Sequence, residues 1–529
     1  MAPYSKTNKE DILEHSTQMR KSDLFEQNVP NTSWKVSVID LGYNSLKMVS
    51  YEVRPDGSFR AYDQRGELTK IGEGLDRTGR LSQGGIQSTL RVLALLNEIN
   101  RMEKVDKVLA VATSAVREAR DGLHFVKKAE SATNIRFRIL DKKEEALYSY
   151  VGGANATNFS TVLFFDLGGG SLELTYAKDR KIKRLLSLPL GALRLTETYG
   201  LNHGGYSKRE YEKLKSKIGR LLPARTELEL DDDTVLIGVG GTVRALARYD
   251  QWRNGYLLNK VHNYILRRKS VIDSHKVLKS MTVNDISRLD SFGKDRAESV
   301  TTGSLIIAML MDRLNFDEMM VSTHGLRDGI LTEYLKDTAS YVSGKFNVEK
   351  SEKILRGPQV NDPRISILRS LYGKGLLNAT EETILKEAIG SFMDLYLTTR
   401  PETLFYSIIS LDSVLDHQQQ LAAAIVLVRA KSPKMARWYL EYYSPILQDI
   451  RKDSIYKMAA IVVLEEILHR TGSKARIEVR RDEIEINIES VMGKAFPELL
   501  LSEALEEVER TMKKRVRATF GKNRRAERY

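Results

Sequence analysis

The segment VIDLGYNSLKM (residues 38–48) returns in altered form as FFDLGGGSLEL (164–174). At a shift of 126 residues, five of the eleven positions are identical: Asp, Leu, Gly, Ser and Leu. Each copy runs from an apolar stretch into an Asp, then a Gly-containing turn, then a second apolar-rich stretch. A strand, a tight turn and a second strand fit this pattern. A chain that builds the same hairpin twice is constrained towards two related halves, and paired turns suit a ligand held between two lobes. Glycine at such a turn lets backbone N–H groups reach an anion with no Cβ in the way. The Asp ending the first strand can hold a divalent cation or its waters. The Ser after the turn adds a hydroxyl donor. A third glycine-rich turn, IGVGGTVRALA (237–247), leads into a helix pattern.

The texture along the chain divides it into four parts. Residues 1–33 are polar with weak periodicity and are expected to be a flexible arm. Residues 34–152 alternate strand and helix patterns: WKVSVID and LKMVSYEV, the helical 84–103, KVLAVAT (107–113), then FRILDKKEEALYSYVGGA. Such alternation argues for an α/β lobe. Residues 153–335 repeat it, with helices around 207–222 and 297–315 and a strand in 234–242. From 340 to 529 helix patterns dominate, interrupted by a hairpin pattern in ARIEVRRDEIEINI (475–488). The last twenty residues, 510–529, carry nine Lys or Arg against one Glu.

Composition narrows the function classes. A length of 529 residues with 42% hydrophobic and 29% charged residues is that of a folded multi-domain chain. The absence of cysteine excludes disulfides, thiol nucleophiles and thiolate metal sites, and fits a cytoplasmic protein. No apolar run approaches the roughly 18 residues of a membrane span, and no secretory signal is evident; no membrane partner is expected. The eight histidines are scattered without ligand spacing, so no zinc site is expected. A net charge of +13 favours polyanionic partners. No interleaved aromatic–basic motif or reading helix marks specific nucleic-acid binding.

The two hairpins resemble the phosphate loops of the actin, Hsp70 and sugar-kinase superfamily. What lies between them resembles one branch of it. VATSAVREA (111–119) and ILDKKEEALYSYVG (139–152), just ahead of DLGGGS, are similar in order and spacing to segments of the exopolyphosphatase and guanosine-pentaphosphate phosphohydrolase (Ppx/GppA) family; DRAESVTTGSLII and HGLRDGILTE continue the match. The resemblance covers residues 35 to about 335. It implies two actin-like (ribonuclease H-like) α/β lobes followed by a mostly α-helical C-terminal domain. It also implies a role for each matched residue. Glu145 would be the catalytic base, taking a proton from water that attacks a terminal phosphorus in line. Asp40, Asp166 and Glu173 would be the metal-associated acids, with Mg²⁺ or Mn²⁺ as cofactor. Arg117 would neutralise phosphate oxygens. Asn44, Ser45, Gly168, Gly169, Gly170 and Ser171 would line the phosphate path, with Gly240, Gly241 and Thr242 beside it.

Two departures stand out. Tyr43 occupies a first-loop position where the family has a small hydroxyl residue, and a ring there is expected to narrow the mouth of the site. Lys47 aligns with Glu173, which makes one hairpin cationic where the other is acidic. In long members of the family the C-terminal domain derives from HD phosphohydrolases, whose metal site needs several His and an adjacent His–Asp pair. Residues 331–529 hold only His417 and His469, so helices without a metal centre are expected. Such a domain would supply a basic wall for a long anion, with ILRRKS (265–270) and the tail from Arg510, or a homodimer contact.

These features point to an exopolyphosphatase that removes phosphate one unit at a time from inorganic polyphosphate. Basic lining along a phosphate chain gains from counterion release. Two alternatives remain open: hydrolysis of guanosine pentaphosphate, and a polyphosphate-binding module without turnover. Lobe closure about the 150–165 crossover would accompany binding.

Overall fold

Apolar runs of five to eight residues flanked by turn signals dictate buried strands, and here they assemble two sheets with matching plans. The structure, a computed structural model, describes residues 33–55, 59–199, 207–343, 371–471, 473–490 and 495–522. The arm expected over 1–33 lies, Ser33 apart, outside them. In the first lobe β1 (Trp34–Leu41), β2 (Ser45–Val53), β3 (Phe59–Leu68), β4 (Lys107–Ala112) and β5 (Phe137–Ile139) form a five-stranded sheet in the order β3-β2-β1-β4-β5. In the second, β6 (Val162–Leu167), β7 (Leu172–Lys178), β8 (Lys181–Leu188), β9 (Val235–Val239), β10 (Ile265–Arg267) and β11 (Glu318–Val321) take the order β10-β11-β9-β6-β7-β8. Read from β8, the second sheet repeats the first and adds β10 at its far edge. In both, an antiparallel meander of three strands continues into parallel pairs.

The helices that matter for the site are α1 (Gln83–Met102), α2 (Lys142–Asn155), α3 (Gly241–Arg253), α4 (Val300–Arg313) and α5 (Leu326–Ser343). The last two strands of the shared plan, β5 and β11, lead into α2 and α5, and these two helices lie between the lobes. Tyr150 and Ala154 of α2 pack with Val162, Phe164 and Ala177 of the second sheet. Ile330, Leu331, Tyr334 and Leu335 of α5 pack with Trp34, Val36 and Val38 of the first. Where the helices cross, no side chain separates them. A Cβ at Gly152 would stand 2.0 Å from the Gly325 carbonyl oxygen, and one at Gly329 would stand 1.9 Å from that of Tyr148.

The C-terminal domain contains α6 (Ala379–Gly390), α7 (Pro401–Ser410), α8 (His417–Lys431), α9 (Pro433–Tyr442), α10 (Lys452–Arg470) and α11 (Ala495–Met512). At its centre, Leu421 to Val428 of α8 are wholly buried, as eight consecutive apolar residues require. The expected hairpin is present as β12 (Lys474–Val479) and β13 (Glu483–Ser490). A third strand, β14 (Arg515–Lys522), pairs parallel to β13. It is drawn from the basic tail: Val516 and Ala518 pack on the core between the arginines. Part of the expected basic ridge is tied up locally, with Arg268 paired to Asp312 and Asp317 and Arg510 to Glu507. Among the described residues no helix is long and apolar enough to cross a membrane.

Candidate active site

The two hairpins meet tip to tip. Their registers are equivalent: Asp40 lies opposite Lys47 across β1 and β2, and Asp166 opposite Glu173 across β6 and β7. A Cβ added at Gly169 would touch that of Asn44 at 3.4 Å, so the second loop lies directly against the first. The carbonyl oxygens of both turns are engaged. Asn44 O accepts from Thr69 and Lys70 N–H (3.0 and 2.9 Å), and Gly169 O from Leu193 and Arg194 N–H (3.1 and 3.0 Å). The amides of Gly169, Gly170 and Ser171 donate to no backbone carbonyl among the described residues. Gly240, at the third turn, has φ +117° and would place a Cβ 2.4 Å from Leu167 O. Only glycine fits there.

These loops enclose a cavity of about 120 Å³. Every site residue expected from the sequence lines it except Arg117: Asp40, Asn44, Ser45, Glu145, Asp166, Gly168, Gly169, Gly170, Ser171, Glu173, Gly240, Gly241 and Thr242. The Asn44 Oδ1 is buried with no hydrogen-bond partner, as in a site that awaits a donor.

The adjacent glutamates of α2 have separate tasks. Asp141 caps the helix, accepting from Lys143 and Glu144 N–H, and Glu144 returns a bond to Asp141 N–H in a capping box. Glu144 also pairs with Arg138. Glu145, one residue on, turns into the cavity and is 8% exposed. Its Oε2 accepts from Arg117 Nη1 at 2.7 Å, and the same nitrogen donates to Leu140 O at 2.9 Å. The Arg117 guanidinium thus stands beside Glu145 and grips it, and Arg117 is not among the residues that line the cavity. Asp166 Oδ2 accepts from Ser149 Oγ at 2.7 Å, and Glu173 Oε1 from Ser187 Oγ at 2.9 Å.

Charges of like sign are crowded here. Burial pushes Glu145 up to about 7, opposed by Arg117 and reinforced by Asp40 and Asp166. Burial, with Glu145 and Asp166 alongside, holds Glu173 well above the ordinary carboxylate range. Asp40 is raised by burial against the pull of Arg327 and Lys47. The cations mirror this. Burial and then Arg296, Arg327 and Arg244 bring Lys47 down to about 7. Burial, with Arg327 and Arg296, brings Arg244 down to about 10. Arg327 Nη1 is buried without a hydrogen-bond partner.

Sequence reasoning assigned no role to Arg244, Arg296 or Arg327, although all three line the cavity. A signal for one was present: Arg244 lies two residues beyond Thr242, in the first turn of the helix that the third glycine turn opens. Tyr43 lines the cavity and has a second task. Its ring is 2% exposed and wedged against Gly170 and Gly72, its hydroxyl donates to Glu197 at 3.3 Å, and Arg194 stacks over it at 5.4 Å. It braces the loops from within.

A cation fits this donor set, which is all oxygen. Among the described residues, no three His, Asp or Glu side chains form a group that could hold a metal alone. A bound cation would therefore be completed by water and the ligand's own oxygens, as Mg²⁺ usually is.

Comparison with known proteins agrees with the fold. A bifunctional 3-dehydroquinate synthase/phosphatase of Fusobacterium nucleatum is 27% identical over 310 residues, which are 56% of this chain and 46% of that protein. The chain thus spans less than half the length of that relative. Exopolyphosphatase 2 of Mycobacterium tuberculosis is 25% identical over 312 residues, covering 56% of this chain and 97% of the relative. An exopolyphosphatase structure from Cytophaga hutchinsonii superposes with a TM-score of 0.53 at 21% identity, over 57% of this chain and 97% of that one, and shares its fold. The model of the Ppx/GppA phosphatase family matches residues 53–338, more than half of the 529, and this chain belongs to that family.

Proposed function

We propose that the chain is an exopolyphosphatase that hydrolyses the terminal phosphoanhydride of inorganic polyphosphate with Mg²⁺ or Mn²⁺. The observation that carries this reading is the double crowding in one cavity. Buried carboxylates press on one another beside half-buried cations that do the same, and a metal-bound polyphosphate end relieves both. Net charge of +13 supports a polyanionic substrate, and so does the similarity to exopolyphosphatases.

In this mechanism Arg244, Arg296 and Arg327 bind the phosphate oxygens, with the amides of Gly169, Gly170 and Ser171. Glu145 takes a proton from water as its oxygen bonds to the terminal phosphorus and the bridging P–O bond breaks. The shortened chain leaves with the bridging oxygen. Arg117 fixes the Glu145 carboxylate through Oε2, so the other oxygen receives the proton. Asp40, Asp166 and Glu173 would face the cation, in part through its waters, and the cation would neutralise charge on the phosphate oxygens when bound.

The test is phosphate release with Mg²⁺ from long-chain polyphosphate, guanosine pentaphosphate and ATP at matched concentrations of phosphate ends. Polyphosphate should give the highest kcat/KM. A higher value for guanosine pentaphosphate would recast the chain as an alarmone hydrolase, and release from none would leave a binding module. A pH profile tests the base. A base works deprotonated, so kcat/KM should fall as pH drops through about 7, where burial holds Glu145. Arg117 favours the ionised form, so Arg117→Met should move that acid limb to higher pH. An unmoved limb would separate Glu145 from the titration.

A further inference from the structure

The C-terminal domain lies outside the matched 53–338, yet it is bonded to the turn that carries Arg327. On one flank of the junction Asn263 Nδ2 donates to Ser413 O and Leu415 O at 2.9 and 2.8 Å. His417 Nε2 donates to His262 O at 2.8 Å, so its Nδ1 accepts from Tyr256 O–H at 2.9 Å. On the other flank Asp412 meets His324 Nε2 at 3.1 Å, Lys260 Nζ at 3.5 Å and Thr323 Oγ1 at 3.3 Å.

His324 is held from both sides. Its Nδ1 lies 3.4 Å from Asp328 Oδ1, which also accepts from Tyr51 O–H of β2 at 3.0 Å. Asp328 Oδ2 accepts from Gly325 N–H at 3.0 Å. Burial alone would strip His324 of its proton, but Asp328 and Asp412 raise it to about 10, so it is a cation between two carboxylates. A polar chain therefore runs from the first lobe through Tyr51, Asp328 and His324 to Asp412 of the C-terminal domain. Arg327, which lines the cavity and whose Nη1 is buried without a partner, sits inside the span that this chain pins.

We propose that Asp412 is a positioning residue which, through His324, fixes the 322–328 turn so that Arg327 faces the bound phosphate. The C-terminal domain thereby becomes a working part of the phosphate site. The inference rests on the reading of Arg327 as a phosphate ligand.

The experiment uses the full chain and compares Arg327→Ala, Asp412→Ala, Asp412→Asn and the double variant Arg327→Ala/Asp412→Ala. It reads the Kd of tripolyphosphate by calorimetry, KM and kcat for inorganic polyphosphate, and Tm. Asp412→Ala should weaken tripolyphosphate binding and raise KM on the order of tenfold, with kcat within about twofold. Asp412→Asn keeps an acceptor for His324 and should recover most of that loss. The double variant should be no weaker than Arg327→Ala alone, because the positioned group is gone. Wild-type binding in Asp412→Ala, with binding lost in Arg327→Ala, would overturn the inference and spare the cavity reading. Additive losses, or equal losses in Asp412→Ala and Asp412→Asn that track Tm, would also overturn it. Unchanged binding in Arg327→Ala would remove the cavity reading and the inference together.

Discussion

Glu145→Gln should lose about 10²–10⁴-fold in kcat, the usual contribution of a general base, and keep its affinity for tripolyphosphate. The substitution is nearly isosteric. The amide oxygen still accepts from Arg117 Nη1, so the 2.7 Å contact and the start of α2 survive. What disappears is the group that takes the proton. A loss made only in the transition state lowers kcat and kcat/KM together and leaves KM in place. The adjacent Glu144→Gln is the control. Gln is accepted at that capping position, and Glu144 pairs with Arg138 outside the cavity lining; turnover should stay near wild type. Equal losses in the two variants would deny Glu145 its role and point to damage at the helix start.

The contrast between these neighbours shows what the sequence could and could not disclose. By local pattern alone both glutamates are helix N-terminal charge, and only the family resemblance singles out Glu145. Only the cap at Asp141, which fixes the helix phase, decides that Glu144 bonds back and Glu145 points inward. The hairpins were legible because apolar strands and glycine turns are local signals. The half-exposed strands β3 and β8 were not, since FRAYDQRGEL and KIKRLLSL carry charges on positions where an edge strand meets solvent. In β14 the alternation of Arg with Val and Ala was hidden by the basic run around it. The cations of the site were beyond local reading. Arg244, Arg296 and Arg327 come from α3, the segment before α4, and α5, and apart from the glycine turn ahead of Arg244 no local signal sets them off from the other Lys and Arg among 83. Their convergence is a tertiary fact. Arg117 shows the opposite limit: the motif marks its place, but not the bond that its guanidinium makes to the Glu145 carboxylate.

Gly329→Ala tests the joint between the lobes. In an isolated helix the change would stabilise by up to about 1 kcal/mol, because Ala is the better helix former. Here the sign should reverse. The new Cβ would fall 1.9 Å from the Tyr148 carbonyl oxygen and 2.7 Å from its carbon, both backbone atoms of α2. No rotamer can relieve a clash with backbone, so α5 and α2 must move apart. Overpacking of this kind costs roughly 1–3 kcal/mol or more, and Tm should fall by several degrees, roughly 2–4 °C for each kcal/mol in a domain of this size. The displacement also has a functional reading. Gly329 lies two residues from Arg327 and one from Asp328, so widening the crossing shifts the turn that lines the cavity, and kcat/KM should drop with Tm. Gly84→Ala in the first turn of α1 is the matched control. Its Cβ would meet only Ser82 Oγ at 4.0 Å, so it should leave Tm unchanged or raise it slightly. If Gly329→Ala melts and turns over like Gly84→Ala, the helices can separate freely, and the glycine crossing is not what holds the two lobes in register.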